Sequence, residues 1–297
     1  MRVRDVALTA LAPLMWGSTY AVTTEFLPPD RPVLTAFLRA LPAGLLLILI
    51  SRRLPSGEWW WKSAVIGFLN IGAFFVLLFI AAYNLPGGVA AVASAIGPLA
   101  AAGASILILR SRVRARTWVL GIVAVFGIAL VALTADARLD LVGMLAGVAG
   151  AVSMSTSTVL TKKWGMPPDA GPAAIAGWQL AWGGLFLAPA ALLIEGSLPA
   201  LTTTNLLGYL YLGLINTALG YWLWFRGISR LNPVAITFLG IGSPLSAAVI
   251  GLAFMGESFT ALQAAGFVIA LGAALGAQLQ GRPAPPKKTE EKSLAGV

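Results

Sequence analysis

The 297-residue sequence predicts an all-α integral membrane protein, with ten transmembrane helices forming two five-helix inverted-topology repeats and both termini cytoplasmic. Three observations predict it. The composition is 58% hydrophobic and only 10% charged, against about 25% charged in an ordinary soluble domain. Several apolar runs reach 18 residues or more without a charge, which is the span of a bilayer helix. And one stretch of the chain is written twice, 146 positions apart. A soluble globule this apolar would expose large oily patches and aggregate. Strand-period alternation is absent, so a β-barrel is not supported.

The ten helices are read at 6–24, 33–51, 61–82, 86–109, 116–133, 139–161, 172–194, 204–226, 232–254 and 260–280. The first has a basic start and an apolar core, as a signal peptide does. Its length, its lack of a small-x-small cleavage site and the spans that follow make it a helix of the protein. Turn residues punctuate the connections: Pro28-Pro29-Asp30, Pro55-Ser56-Gly57, Leu85-Pro86-Gly87 and Asn232-Pro233. No connection is long enough to hold a soluble domain. From Arg282 the chain turns Pro- and charge-rich, the composition of a disordered tail. The domains are therefore 1–135, the first repeat, 136–281, the second, and 282–297, a cytoplasmic tail.

Orientation follows from charge. With the N-terminus inside, 17 Lys and Arg fall in cytoplasmic segments and two, Arg31 and Arg138, in outer loops. That bias is the positive-inside pattern of a multi-pass cell-membrane protein. It also explains the formal charge of +9 without nucleic acid as a partner. The partners implied are the lipid bilayer and a small molecule. The oligomeric state is left open and is compatible with a monomer.

The repeat runs without a gap from Gly67–Leu109 to Gly213–Met255, 43 positions of which nine are identical. Asn70/Asn216 and Pro98/Pro244 weigh most, because Asn and Pro are rare inside spans. Neighbouring helices join in. Ser18, Thr19 and Thr24 match Ser155, Thr156 and Thr161. Arg39 falls opposite Gln179, Gly44 opposite Gly184, and Gly121 and Gly127 opposite Gly266 and Gly272. Each half holds five spans, an odd number, so the second half enters the membrane inverted. This is the plan of many secondary transporters, whose halves exchange conformations around a central site. A membrane enzyme is disfavoured: with no His, no Cys and no buried carboxylate pair, a catalytic or metal constellation has little to be built from. No cofactor is expected. A channel would show a ring of charges or a filter loop, and a scaffold would show soluble domains.

Met15-Trp16-Gly17-Ser18-Thr19 in the first span, Met255-Gly256-Glu257-Ser258-Phe259-Thr260 after the ninth, and the Gly266–Gly272 run carry a resemblance. The chain resembles the drug/metabolite transporter superfamily in its ten-span EamA-repeat branch, most of all the YddG-type aromatic amino-acid exporters of bacterial inner membranes. The resemblance spans residues 5–280. It implies efflux of amino acids and related metabolites from the cytoplasm, the alternative being the same fold with another cargo, a cationic drug or a polar metabolite. One departure is that the Gly256-Glu257 corner has Arg110-Ser111 at its place in the first half.

Matching helix breaks point to a carrier's site. Here they are Gly97-Pro98 and Ser243-Pro244, where each Pro removes a helical donor. Asn70 and Asn216 lie mid-span, and an amide there faces protein or water. It can donate to a carboxylate and accept from an ammonium, or simply hold helices together. Gln179, opposite Arg39 in the repeat, joins this group. In the sixth span Ser153, Thr156 and Ser157 are the hydroxyls placed to line a polar path; packing accounts for the rest of that run. Trp59, Trp60, Trp61, Trp118 and Trp164 read as an interfacial belt. Trp16, Trp178, Trp182 and Trp222 lie deeper and, with Phe74, Phe75, Tyr83 and Tyr221, would suit flat apolar side chains, although core packing is the commoner fate of any single one. The expected substrate-binding set is therefore Trp16, Asn70, Phe74, Tyr83, Pro98, Ser153, Trp178, Gln179, Asn216, Tyr221, Ser243 and Pro244. Arg39 is the sole cation inside a span. Snorkelling to the outer surface is within its reach, Glu25, Asp30 and Glu257 are the acids placed to pair with it, and a substrate carboxylate is the alternative. Every Asp and Glu lies near a helix end or in a loop, so proton coupling through a mid-membrane carboxylate is not expected and facilitated movement is.

Overall fold

The computed structural model describes residues 3–29, 31–84, 95–132, 140–196, 200–254 and 260–278, and among them every regular element is a helix. In chain order these are α1 (Val3–Trp16), α2 (Thr19–Phe26), α3 (Pro32–Ser51), α4 (Trp59–Gly67), α5 (Phe74–Asn84), α6 (Gly97–Leu109) and α7 (Ala115–Ala132). They continue with α8 (Leu141–Trp164), α9 (Pro172–Ala190), α10 (Thr203–Leu210), α11 (Gly220–Arg230), α12 (Pro233–Gly240), α13 (Gly242–Phe254) and α14 (Ala261–Gln278). Within the described residues, seven helical runs are long and apolar enough to cross a membrane. Three shorter apolar helices, Gly97–Leu109, Ala115–Val131 and Ala261–Ala277, accompany them.

Local chemistry sets the helix ends. Pro32, Pro172 and Pro233 open α3, α9 and α12, at the position where a missing N–H costs nothing. The Asp140 side chain accepts from Gly143 N at 2.8 Å, and Asn232 accepts from Val234 N at 2.9 Å. Thr202 and Asn205 form a capping box. The first turn of α3 is capped from a distance: the Glu195 carboxylate accepts from Val33 N and Leu34 N, both at 2.8 Å.

Three of the long runs include π-helical turns, one at its end, Ala191–Glu195, and two in their middles. Phe68–Ala73, between α4 and α5, and Tyr211–Leu219, between α10 and α11, are π-helical. The sequence offset of 146 maps the first onto residues 214–219, inside the second. Each of these two widened turns contains the repeat's Asn. Such turns leave backbone groups to be met from outside, and they cluster at functional places.

Packing repeats as well. α3 lies on α9 and α7 on α14; α1 lies on α11 and α13, as α8 does on α5 and α6. Exchanging the halves reproduces these contacts, as a two-fold relation between repeats requires. Small residues set the distance of the α3–α9 crossing. A Cβ on Gly44 would sit 2.4 Å from Ala181 N, and one on Gly184 would sit 2.7 Å from the Leu41 Cβ. Those four residues are themselves repeat mates, 140 positions apart. The two ends of the bundle differ. At one, Arg226 and Arg230 hold the buried Asp5 carboxylate at 2.8 and 3.1 Å, joining α1 to α11. At the equivalent α5–α8 junction, Leu77, Ala81, Met144 and Ala146 form an apolar cluster.

Candidate functional site

The site is built around Asn216. Its π-helical surroundings bring it against α1 and α3 at once. Its Oδ1 accepts from Arg39 Nη2 at 2.5 Å and from Thr19 Oγ1 at 3.2 Å. Its Nδ2 donates to Met15 O at 2.8 Å, and its backbone oxygen accepts from Trp16 Nε1 at 2.9 Å. Arg39 Nε adds a bond to Thr217 Oγ1 at 2.9 Å. One residue thus fixes a ring through its backbone and a cation through its side chain.

Arg39 does not snorkel. It is 7% exposed, and its guanidinium lies 5.4 Å from the centre of the Phe75 ring. Its hydrogen-bond partners are Asn216 and Thr217, not Glu25, which is exposed; Asp30 and Glu257 lie outside the described residues. Neutral acceptors on a neighbouring helix hold the guanidinium inside.

The helix breaks fall at matching positions. α6 starts at Gly97 after a turn at Ala95-Ile96, and α12 gives way to α13 at Ile241. Pro98 and Pro244 therefore sit in the first turn of a new helix, where they cost no hydrogen bond. Ser155 Oγ donates to Gly97 O at 3.0 Å, and Ser246 Oγ donates to Leu14 O at 2.7 Å.

Between these elements lies a cavity of about 270 Å³, at the small end of ligand cavities. Its walls include repeat-related pairs: Phe75 with Tyr221, Leu78 with Trp224, Ala95 with Ile241, Gly97 with Ser243 and Pro98 with Pro244. Trp16, Thr19, Arg39, Phe74, Ala151, Met154, Ser155, Thr158, Thr237 and Gly240 complete it. Trp16 packs on Tyr221 and Trp224 with centroids 5.1 and 5.2 Å apart. Aromatic faces and one guanidinium dominate the surface. Among the described residues, no Asp or Glu lines it.

Of the residues singled out from sequence, Trp16, Arg39, Phe74, Pro98, Tyr221, Ser243 and Pro244 line the cavity. Others stand behind it or elsewhere. Asn216 holds the wall without forming it. Asn70 donates to Gln179 Oε1 at 3.4 Å, both fully buried, away from the cavity. Ser153 and Ser157 turn to α4 and the π-helical turn after it, donating to Leu69 O at 2.8 Å and Ile66 O at 3.2 Å. The hydroxyls of that helix facing the cavity are Ser155 and Thr158. Trp178 packs on Trp59 and donates to Arg53 O at 2.8 Å, a core role at a helix end. The Tyr83 side chain lies outside the described residues. Trp224, Thr19, Thr237 and Met154 were missed. Trp224 had a usable signal: it lies one helical turn beyond Tyr221, so the two share a face.

Two related helical halves around a small polar-apolar cavity define a multi-pass membrane transporter. The chain belongs to the EamA-like transporter family of the drug/metabolite transporter superfamily, whose profile matches residues 4–133 and 141–277. It is similar to protein PecM of Dickeya dadantii (strain 3937), at 42% identity over 92% of this chain and 91% of that protein. It is also similar to the uncharacterized transporter YwfM of Bacillus subtilis (strain 168), at 28% identity over 83% of this chain and 84% of YwfM. A solved crystal structure shares the fold with a TM-score of 0.79 at 19% identity, covering 95% of this chain and 99% of that one.

Proposed function

We propose that this transporter exports amino acids, aromatic and other apolar ones, and related metabolites from the cytoplasm by alternating access. In this reading ten spans form the two oppositely oriented halves, 1–135 and 136–281, in a bacterial inner membrane. Both termini and the 282–297 tail are cytoplasmic. The carrying observation is the cavity where repeat-equivalent residues meet, walled by aromatic rings and Arg39. A site shared by two related halves can face each side in turn as one half adopts the other's conformation. Trp16, Phe74, Phe75, Tyr221 and Trp224 suit a flat side chain, and Arg39 suits its carboxylate. The breaks at Pro98 and Ser243-Pro244 give the walls their hinge-like positions. With no carboxylate on the described cavity wall to carry a proton, movement is facilitated.

The test is uptake of labelled Phe and Trp into liposomes holding only the purified protein. Saturable flux above that of empty liposomes, with no imposed ion gradient, is the expected result. A folded, correctly inserted protein with no such flux would refute the amino-acid reading.

A further inference from the structure

We infer that the cavity selects aromatic carboxylates carrying one net negative charge, and that the inside-negative membrane potential drives their export. The inference rests on the transport reading above and ranks its cargo by charge, placing aromatic acids among the related metabolites ahead of the net-neutral amino acids. Arg39 is permanently charged, 7% exposed and inside a span. Its hydrogen-bond partners, Thr217 and Asn216, are neutral. Among the described residues no carboxylate pairs with it. An uncompensated charge at this depth is expensive, and an anionic ligand supplies the missing counter-charge.

A ligand ammonium meets the opposite situation. The hydroxyl protons of Thr19, Ser155, Thr158 and Thr237 are already given to protein acceptors. Their lone pairs and the ring faces can accept an ammonium, but no carboxylate of the described wall neutralises it and the guanidinium repels it. A zwitterion leaves Arg39 without a net counter-charge and is a poorer fit than a monoanion of the same shape, and an amine is the poorest fit.

Charge conservation gives the driving force. A full cycle returns the protein to its starting state, so the net charge moved is the substrate's own. Facilitated movement of a monoanion then follows the membrane potential, with an equilibrium ratio of about 50-fold for each 100 mV or so. An inside-negative membrane expels it.

The experiment compares three labelled molecules with one ring system and charges of −1, 0 and +1: indole-3-acetate, tryptophan and tryptamine. Each is offered to proteoliposomes and to protein-free vesicles at about pH 8, where the carboxylates are ionised. A valinomycin potassium gradient sets the potential. Indole-3-acetate is expected to accumulate on the positive side, approaching about 50-fold near 100 mV, with slower voltage-independent tryptophan flux and no tryptamine flux. The R39Q variant is expected to lose at least about tenfold in indole-3-acetate flux and R39K to retain most of it, since only the first removes the charge. If R39Q does not fold, the three-molecule comparison in the unaltered protein decides alone. Saturable tryptophan flux with no voltage-dependent indole-3-acetate flux would overturn the inference and leave the transport reading standing. Absence of all three fluxes would overturn both.

Discussion

Asn70 and Asn216 occupy the same position in the two repeats, each inside a π-helical turn, yet they live differently. Asn216 makes four hydrogen bonds, to Arg39, Thr19, Met15 and Trp16, all from the other half of the chain. Asn70 makes one, at 3.4 Å, to Gln179, which is the repeat mate of Arg39. Its Oδ1 and the Gln179 Nε2 are buried with no partner. The duplication therefore preserved a geometry, an amide on one half meeting a long side chain of the other, and changed its content. One copy became a charged, hydrogen-bonded cluster beside the cavity. The other became a neutral pair with spare hydrogen-bonding capacity.

The sharpest way to break this contrast is to alter Asn216. N216A leaves the buried guanidinium short of an acceptor and frees Thr19 and the Met15 carbonyl, while the backbone bond from Trp16 stays. A buried charged donor without its partner costs about 3 kcal/mol, so a clearly lower unfolding midpoint in detergent is expected, together with loss of flux. N216D separates the two effects. Its carboxylate would neutralise Arg39 from within, keep the bonds from Arg39 and Thr19, lose only the one to Met15 O, and block the counter-charge role of a substrate. Flux of a carboxylate substrate should fall at least about tenfold, roughly 1.4 kcal/mol, while the protein stays folded. Normal flux in N216D would show that the Arg39 charge does not meet the substrate.

The glycines preceding the two Asn sharpen the comparison at smaller scale. A Cβ on Gly67 would lie 2.7 Å from Gln179 O, whereas a Cβ on Gly213 meets nothing within 4 Å. Although Gly67 and Gly213 are repeat mates, the neutral side is the crowded one. G67A is expected to destabilise by about 1–3 kcal/mol through overpacking. G213A should be neutral or gain about 0.5 kcal/mol, because Ala suits a helix interior better than Gly. Equal effects, measured as unfolding midpoints, would mean that the two halves are more alike than their contacts show.

Much of this arrangement was legible beforehand. Apolar run length marks bilayer helices directly, and the 146-residue offset, once seen, fixes which helices correspond. It also pointed at Asn216, Arg39 and the two Pro. What sequence could not show was direction. Ser153 and Ser155 lie on one helix, two positions apart, and only packing decides that the first braces the Leu69 carbonyl and the second faces the cavity. Trp178 reads as deep because it is apolar and mid-chain, yet its N–H is taken by Arg53 O at a helix end. For Arg39 the competing options, snorkelling or burial, differ by the presence of acceptors on a span 177 residues away. No local pattern reports such a partner.

A small effect on stability is expected at Asn70, and it is informative because it is small. N70A removes a long hydrogen bond at the weak end of the range, and with it one oxygen that was already buried and unpaired. The loss of the bond and the relief of the unpaired acceptor offset one another, so the net cost should stay near about 1 kcal/mol, the ordinary worth of one internal hydrogen bond. Stability alone would then call Asn70 dispensable. Alternating access says otherwise: if the halves exchange conformations, the Asn70–Gln179 pair takes the arrangement that Asn216 and Arg39 now hold, and its spare donor and acceptor are then used. N70A should therefore leave the unfolding midpoint nearly unchanged and slow flux several-fold. An unaltered rate would confine the pair to packing, and the asymmetry between the halves would be fixed throughout the cycle.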